Sequence, residues 1–550
     1  MTREHPRIAE LTADWRAGRL ARREFLGLAT AFGLSGAAAL GITGARAQGR
    51  PAGVRGGVLN VSMDVMPIDD PRRFDWPEKG NLGRQICETL VRYTRDLTFE
   101  PMLAERWEVS DAADDYTLHL RRGVRWSDGT PFTARDVAHN VRRWCDTEVA
   151  GNSMAARMAA LIDPATGQLA EGALQIVDDH TVRLRLLRPD IAFIPSIADY
   201  PSLIVPESFD GSAPLSTTGV GTGPFRLVEF NEGVNARFER RPREEYWGDP
   251  VFLDRIEFLD LSADKTAEIY AFTSGVIDVN FQTQSEFVEE LNGRDLQISR
   301  VATGATVVAR MNTAHAPYDD VRVRNALQLA VDNAVVLELG QAGFGSVAEN
   351  HHVGPMHPEY ASLPPIAPDP EAARQMLAAA GHGETEFELI SVDGDWRTLT
   401  ADAIAAQLLD AGIRVRRRLT SKRRYAQDWA DHAFSVTDWI HRPLGVQVLV
   451  LAYRTGAAWN ESNHADPTFD RLLDEALTLP DADRRREVMA LLQARLQASG
   501  VIIQPYWRSI FAHMQPRVRN YGVHPMLETW FNDTWVEDAV RIPRPEPVLE

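Results

Sequence analysis

The chain has 550 residues, which is too many for one compact core and implies two or three lobes. Hydrophobic residues make up 44% and charged residues 25%, both ordinary for a globular protein, and the formal net charge is −18. So acidic a chain disfavours binding to nucleic acid or to anionic lipid.

The first 47 residues are predicted to be a twin-arginine signal peptide. Arg22 and Arg23 are followed by one spacer and Phe25-Leu26, and then by a Gly- and Ala-rich apolar stretch. That stretch is shorter and less apolar than a membrane helix requires. Ala45-Arg46-Ala47 fits a small-x-small cleavage site, so the mature protein is expected to begin near Gln48. The alternative is an amphipathic amino-terminal helix that stays in place.

Export would leave an acidic body in an oxidising compartment. The leader carries seven arginines and four acidic residues, a net of +3, so the mature body is near −21. The two cysteines, Cys87 and Cys145, could be bridged there. Cys145 lies beside Trp144 in a helical pattern, as a small core residue does, so a free thiol is the other possibility.

The first half of the mature chain is rich in strands and tight turns. Alternating apolar residues predict strands, and Thr133 with Asp136 three residues later predicts the start of a helix. In chain order the predicted elements are a strand at 58–63, a helix at 82–93, a strand at 116–120, a helix after Thr133, a hairpin at 174–187, strands at 225–230 and 256–261, and a helix at 264–274.

The second half alternates strands with helices, which indicates an α/β lobe. Asp369-Pro370 and Asp466-Pro467 each place a capping residue before a proline, a typical helix start. The predicted elements are helices at 321–339, 370–380, 399–409, 468–477 and 484–498, and strands at 387–392, 413–419, 502–506 and 510–513.

No catalytic or cofactor motif is found. The chain lacks a Gly-x-Ser-x-Gly elbow, a His-Glu-x-x-His pair, a Cys-x-x-Cys pair and a phosphate-binding glycine loop. His351-His352, with His357 nearby, lie in a loop, and adjacent histidines rarely bind one metal ion together. We therefore expect no enzyme activity, no cofactor and no metal. The alternative for these histidines is that they line the ligand pocket.

Several segments, in their order along the chain, carry a family resemblance. The most recognisable is ERWEVSDAADDYTLHLRRGVRWSDGTPFTARDV at 105–137. The chain resembles the family 5 extracellular solute-binding proteins, which are the oligopeptide, dipeptide and nickel receptors of ABC importers. The other matching segments are GGVL at 56–59, GTGPFRLVEF at 221–230, YWGDPVFLDRIEF at 246–258, AFTSGVIDV at 271–279, MNTAHAPYDDVRVRNALQLAVD at 311–332, DPEAARQMLAAAG at 369–381 and ADPTFDRLLDEA at 465–476.

The resemblance implies an α/β, two-lobed periplasmic-binding-protein fold with an extra inserted subdomain and a hinge between the lobes. Lobe one is expected at 55–310, including the inserted subdomain, and lobe two at 311–504, with 505–550 returning to lobe one. The implied function is a periplasmic, monomeric receptor that binds a small ligand between the lobes and delivers it to the permease subunits of an ABC importer. Its other partner would be the twin-arginine translocase during export.

Peptides are the first choice of ligand, and opine-like conjugates, metal chelates and oligosaccharides are the alternatives. In the peptide receptors an Asp of lobe two pairs with the ligand's amino group, and Asp438 in SVTDWIHRPLG at 435–445 is the corresponding candidate. The usual Asp-Pro after that Asp is absent, and Arg442-Pro443 stands in its place. Arg442 could bind a ligand carboxylate, or it could pair with Asp438. A periplasmic hydrolase is the rival from another class.

Tryptophans in loops of lobe two are the other ligand-contact candidates, because an indole offers a flat apolar face and one donor. Trp76 and Trp107 are interpreted as structural. The complete set of candidate ligand-binding residues is Met66, Trp396, Asp438, Trp439, His441, Arg442, Trp459 and Asn460.

Overall fold

A computed structural model describes residues 5–44, 53–261, 265–364, 366–394, 397–479 and 481–537. Helices and strands are mixed along these residues, as an α/β fold requires. The helices are α1 Pro6–Arg16, α2 Arg22–Ala31, α3 Gly36–Ile42, α4 Pro77–Ile86, α5 Ala134–Trp144, α6 Ser153–Arg157, α7 Phe193–Ser196, α8 Leu215–Thr218, α9 Lys265–Thr273, α10 Val288–Asn292, α11 Val321–Leu329, α12 Asn333–Gln341, α13 Pro370–Ala379, α14 Arg397–Asp410, α15 Lys422–Asp428, α16 Gly445–Ala452, α17 Pro467–Thr478 and α18 Ala482–Ser499.

The strands follow the alternating apolar pattern of the sequence. They are β1 Val58–Ser62, β2 Val91–Tyr93, β3 Phe99–Pro101, β4 Ala104–Val109, β5 Asp115–Leu120, β6 Ile162–Asp163, β7 Gln168–Leu169, β8 Leu174–Asp178, β9 Thr181–Arg185, β10 Phe225–Asn231, β11 Asn235–Arg240, β12 Arg255–Leu259, β13 Val279–Asn280, β14 Gln297–Met311, β15 Gly345–Val347, β16 Phe387–Val392, β17 Val415–Thr420, β18 Phe434–Trp439, β19 Ile502–Ile503, β20 Tyr506–Met514, β21 Val518–Arg519 and β22 Trp535–Val536.

One sheet runs through both lobes. Its order is β10-β11-β12-β1-β13-β20-β14-β18-β16-β17, with β15 added on β20 and β19 on β14. The β10 to β13 side comes from the residues expected in lobe one, and there β1 and β12 are parallel. The β18, β16 and β17 side comes from the residues expected in lobe two, and there β16 is parallel to both of its neighbours.

Strand β14 connects the two sides of the sheet. Its first part, Gln297–Ala302, pairs with β20, and its last part, Thr306–Met311, pairs with β18. The register shifts between Ala302 and Thr306, so a bulge lies where the chain passes from one lobe to the other. Bulges bend a strand locally and interrupt its ladder, which makes this point a natural place for a hinge.

A separate four-stranded antiparallel sheet, β4-β5-β9-β8, lies within lobe one. Helix α5 packs on it through Val137, Val141 and Trp144, all of which are buried. The predicted capping pair is present, because Thr133 Oγ1 accepts from Arg135 N at 3.3 Å and Asp136 Oδ2 accepts from Thr133 N at 2.8 Å. This sheet and helix lie in the segment where the sequence predicts an inserted subdomain.

Two predicted helices are wrong in extent. The helix predicted at 82–93 begins earlier, with Pro77 in its first turn, and ends at Ile86, whose carbonyl accepts from Gly223 N at 2.7 Å instead of continuing the helix. The helix predicted at 321–339 is two helices, because α11 ends at Leu329 and Asp332 caps the start of α12 by accepting from Ala334 N at 2.8 Å. Both errors follow from tertiary or capping contacts inside an otherwise periodic stretch.

Cys87 and Cys145 are both buried and free. The alternative of a disulfide bridge between them is therefore wrong. Burial raises the pKa of the Cys145 thiol to about 12, so this group stays a neutral core residue at physiological pH.

Residues 5–44 of the predicted signal peptide form α1, α2 and α3, and these helices pack against the body. Phe25, Ala29 and Ala39 are fully buried. The predicted cleavage site at Ala45-Arg46-Ala47 and the expected mature start at Gln48 lie outside the described residues. Residues 5–44 are therefore folded onto the body in this structure.

Candidate functional site

A cleft between the two lobes encloses a cavity of about 30 Å³. Trp76 and Tyr200 line it from lobe one, and Trp429, Trp439 and Trp459 line it from lobe two. Small-molecule sites in proteins usually enclose roughly 300–1,000 Å³, so the lobes must move apart before a ligand can enter this closed arrangement. Because both lobes contribute walls, the shape of this cavity depends on how the lobes are arranged.

Aromatic pairs connect the lobes around the cavity. Tyr200 stacks on Trp459 with ring centroids 6.3 Å apart, and Trp76 meets Trp429 edge to face at 6.4 Å. Trp459 also packs edge to face on Trp439 at 6.0 Å. Such pairs contribute about 0.5–1.5 kcal/mol each beyond the area they bury, so they favour the closed arrangement of the lobes.

Asp438 lies at the end of β18 and lines the cavity. Arg397, at the start of α14, donates from Nη1 to Asp438 Oδ1 at 2.7 Å. The Asp438 side chain is 15% exposed and that of Arg397 only 6%. A carboxylate held by a guanidinium in this way is already neutralised by the protein itself.

Arg442 also lines the cavity and has a different partner. Its Nε lies 3.1 Å from Asp199 Oδ2, and Arg157 Nη2 donates to the same oxygen at 2.6 Å. Burial acts to raise the pKa of Asp199, but the two guanidiniums outweigh it and hold the pKa below its usual value. The sequence predicted a ligand carboxylate or Asp438 as the partner of Arg442. In the structure its partner is instead Asp199.

The Trp439 wall is fixed by a buried carboxylate. Glu461 Oε1 accepts from Trp439 Nε1 at 2.8 Å, and its Oε2 accepts from Thr437 Oγ1 at 2.7 Å and from Arg310 Nε at 2.9 Å. Arg310 is fully buried in β14. This network joins the strand that crosses between the lobes to the wall of the cavity.

The other predicted site residues lie elsewhere or have local roles. His441 is buried next to the bulge, where its Nδ1 accepts from Gly304 N at 3.1 Å. Asn460 fastens its own loop by donating to the carbonyls of Arg454 and His464. Met66 is half-buried in the loop after β1 and does not line the cavity as described. Trp396 lies outside the described residues.

Sequence reasoning missed several residues of the site. Trp76, interpreted as structural, is a wall of the cavity, and Tyr200 is the wall opposite Trp459. Asp199 and Arg157 hold Arg442 from lobe one, although each is more than 200 positions away from it in the chain. No local motif marks them, since their role arises only when the lobes close on each other.

The comparisons with known proteins agree with this architecture. The profile of the bacterial extracellular solute-binding proteins, family 5 (middle region), matches residues 98–461. That is more than half of the chain, so the protein belongs to this family of solute-binding proteins. The predicted two-lobed α/β fold is confirmed.

Curated relatives match over most of the chain. Heme-binding protein A of Haemophilus influenzae is 26% identical over 481 residues, covering 80% of this chain and 85% of that protein. The periplasmic oligopeptide-binding protein OppA of Salmonella typhimurium is 24% identical over 516 residues, covering 87% and 92%. These relatives are named for different ligands, so the similarity defines a receptor class and not one solute.

Solved structures share the fold at low identity. The murein tripeptide binding protein MppA of Escherichia coli superposes with a TM-score of 0.80 at 20% identity, over 88% of this chain and 99% of that chain. AgaA of A. tumefaciens R10, in complex with agropinic acid, gives a TM-score of 0.78 at 22% identity over the same shares. Within the described residues, none of the helices has the length and apolar character needed to cross a membrane.

Proposed function

We propose that the protein is the solute receptor of an ABC importer and binds a small ligand in the cavity between its lobes. The observation that carries this proposal is a cavity whose walls come from both lobes, next to a bulged strand that connects them. A ligand that touches both lobes stabilises the closed state by its higher affinity for that state. The permease subunits of the importer would recognise closure, and no bond in the ligand would be made or broken.

Peptides remain the first ligand class to test. Relatives named for oligopeptides and dipeptides support this choice. Agropinic acid in AgaA and Ni(L-His) in NikZ from Campylobacter jejuni support opine-like conjugates and metal chelates as alternatives. A hydrolase of the periplasm is the candidate from another class, and turnover of an ester or peptide by the purified protein would favour it.

The hinge lies, in this proposal, at the β14 bulge and the adjacent part of β20. Thr303 Oγ1 donates to Arg508 O at 2.9 Å, which joins the two strands at that point. The expected bounds, lobe one at 55–310 with the return at 505–550 and lobe two at 311–504, lie within a few residues of this bulge. An exported, monomeric receptor in the periplasm, delivered by the twin-arginine translocase, is consistent with the leader motif and with a body that carries a net charge near −21.

The first test is to identify the natural ligand and measure closure. Protein purified from its native periplasm is denatured, and the small molecules it releases are identified by mass spectrometry. We expect one dominant compound, and its return to the ligand-free protein should make the solution scattering profile more compact. A released compound that leaves the scattering profile unchanged would contradict the hinge, and the absence of any bound compound would count against the receptor itself.

A further inference from the structure

The buried charges beside the cavity do not balance. Among the described residues, Asp199 is the carboxylate that faces both Arg157 and Arg442, and all three side chains are at most 3% exposed. Arg157 lies 4.7 Å from the centroid of the Trp459 ring and Arg442 lies 5.9 Å from it. The ring faces attract these cations but do not cancel their charge. One positive charge is therefore left beside the cavity, at a site where an unbalanced charge is costly.

The position that would hold an ammonium is already neutral. Asp438 is paired with Arg397, so an incoming amine would have to displace a guanidinium from its carboxylate. Asp75, the other carboxylate that lines the cavity, is paired with Lys79 at 2.8 Å. The Trp76 indole nitrogen is buried, has no hydrogen-bond partner among the described residues and belongs to a wall of the cavity. A ligand with an anionic group would balance the excess positive charge at Arg442 and could accept a hydrogen bond from the Trp76 indole nitrogen.

The remaining walls are flat. Trp429, Trp439 and Trp459 line the cavity, which encloses about 30 Å³ in this closed arrangement and admits a ring only when the lobes move apart. Aromatic walls favour a flat partner, because offset-stacked and edge-to-face contacts add to the area that is buried. The charge and the shape of the cavity thus point to the same class of ligand.

We propose that the cavity binds a small ring compound bearing a carboxylate, held through its anionic group by Arg442 and not through an ammonium by Asp438. This inference rests on the receptor function proposed above and specifies its ligand class. A peptide fits it when the carboxylate end provides the anion and an aromatic side chain provides the ring.

Three indole compounds that differ only in charge test the ligand class. Indole-3-acetate, indole-3-acetamide and tryptamine are titrated by calorimetry, at up to about millimolar concentration, into ligand-free full-length protein that carries Phe25→Asp, a change expected to release the amino-terminal helices and let the lobes separate. The anion is expected to bind about tenfold more tightly than either of the others. Tighter binding of tryptamine, equal binding of all three, or no binding of the anion would overturn the proposal. If the natural ligand released from the protein is cationic or neutral, the class is wrong although the receptor function stands.

Arg442→Gln is the decisive variant, because Arg157 remains to neutralise Asp199 and no carboxylate is left unpaired. We expect the variant to fold and to lose about tenfold or more in affinity for indole-3-acetate. Arg397→Gln is the matched control, since it removes the guanidinium that donates to the cavity carboxylate Asp438 and makes that carboxylate available to an ammonium. That variant should gain affinity for tryptamine. Unchanged affinity of the anion in a folded Arg442→Gln protein would remove Arg442 from the site.

A second inference comes from the amino-terminal helices, which contact both lobes. On lobe one, Thr30 Oγ1 accepts from Phe99 N at 2.9 Å, and Trp107 Nε1 donates to the carbonyl of Ala31 at 2.9 Å. The contacts with lobe two are the donation of Arg23 Nη2 to the Pro355 carbonyl at 2.7 Å and the ion pair of Arg486 with Glu24 at 3.4 Å.

These helices are packed as part of the core. Trp15 of α1 lies against Phe25 of α2 with ring centroids 5.8 Å apart, and His5 stacks on Phe32 at 4.8 Å. A signal for export requires the paired arginines and an apolar stretch, whereas here an additional helix, α1, completes a small helical unit on the body. Buried apolar contacts of this kind stabilise the docked position of a segment.

We infer that residues 5–44 form a clasp that holds the two lobes in the closed arrangement, because hinge opening would separate its contacts on one lobe from those on the other. Loss of the segment at the predicted cleavage site would then free the hinge. The inference does not depend on which ligand the cavity binds.

Phe25→Asp in the full chain tests the clasp, with Phe25→Leu as the matched apolar control. Amide hydrogen exchange of α2 should be slow in the original protein and in Phe25→Leu, and fast in Phe25→Asp. The ligand-free scattering profile should expand only in Phe25→Asp. Fast exchange of α2 in the original protein would show that the segment is not docked, and an unchanged scattering profile after release of α2 would show that it does not restrain the lobes.

Discussion

Replacing Glu461 with alanine is expected to lower the free energy of unfolding by about 3–5 kcal/mol, because it leaves the fully buried Arg310 without its carboxylate. The same change removes the acceptor that fixes Trp439, so the cavity wall should loosen as well. Urea denaturation followed by far-UV circular dichroism measures the loss of stability. Ligand affinity, measured on the fraction that remains folded, reports the loosening of the wall.

A double variant separates lost charge balance from lost packing. Arg310→Met combined with Glu461→Leu leaves no unpaired charge and retains apolar volume, so it should recover most of the stability. A loss below about 1 kcal/mol in Glu461→Ala would contradict our description of the pair, since surface ion pairs contribute no more than that.

Acid is expected to destabilise the protein well before its ordinary carboxylates titrate. Burial, followed by nearby positive charges, lowers the pKa of His357 and of His524 to about 3. Burial also lowers the pKa of His352 and of His441 well below the usual value. An unfolded histidine binds its proton near pH 6.5, whereas these folded ones stay neutral, so stability is present above that pH and is lost as the pH falls.

Buried carboxyl groups with a raised pKa oppose this trend, above all Glu88 and Asp190. Burial raises the pKa of Glu88 to about 7 and that of Asp190 to about 6, so the folded protein takes up protons there as the pH falls, which favours folding. Between pH 7 and pH 5, His357 and His524 each cost about 2 kcal/mol, and Glu88 and Asp190 together return about 3 kcal/mol. His352 and His441 add to the cost, so the free energy of unfolding should fall over this interval.

Urea titrations at pH 7, 6 and 5 measure this dependence directly. His524→Asn is the matched variant, because an amide oxygen can replace Nδ1, which accepts from Met526 N at 3.1 Å. The variant should reduce the loss between pH 7 and pH 5 by about 2 kcal/mol. A stability that rises as the pH falls over this interval would show that the histidines are protonated in the folded state.

Much of the fold could be predicted from local sequence, because the signals act within a few residues. The Thr133 and Asp136 cap, the Asp-Pro starts of α13 and α17 and the alternation in β1 are all of this kind. The order of the family segments then predicted two lobes, which the comparisons confirm. The single helix predicted at 321–339 was wrong, because Asp332 caps the start of a second helix within a stretch whose apolar residues keep a helical spacing.

The cavity could be predicted only in part. Asp438, Trp439, Arg442 and Trp459 were expected from the resemblance and from the loop tryptophans, and the structure brings all four to one cleft. Their partners could not be predicted, because Arg397, Asp199 and Arg157 reach them only after the lobes have packed against each other. Which carboxylate neutralises which guanidinium depends on distances of a few ångströms, and periodicity in the sequence does not encode such distances.

By itself the sequence determined the receptor class, the α/β alternation and the twin-arginine motif of the leader. Each of these could be predicted because its signal, a cap, an alternation or a motif spacing, involves residues that are close together in the sequence. The tertiary structure alone decided that Asp438 is neutralised from within, that Arg442 retains an excess positive charge beside the cavity, and that the leader packs across both lobes. These features depend on burial, because a charge or an apolar side chain gains or loses energy only through what surrounds it in the folded chain.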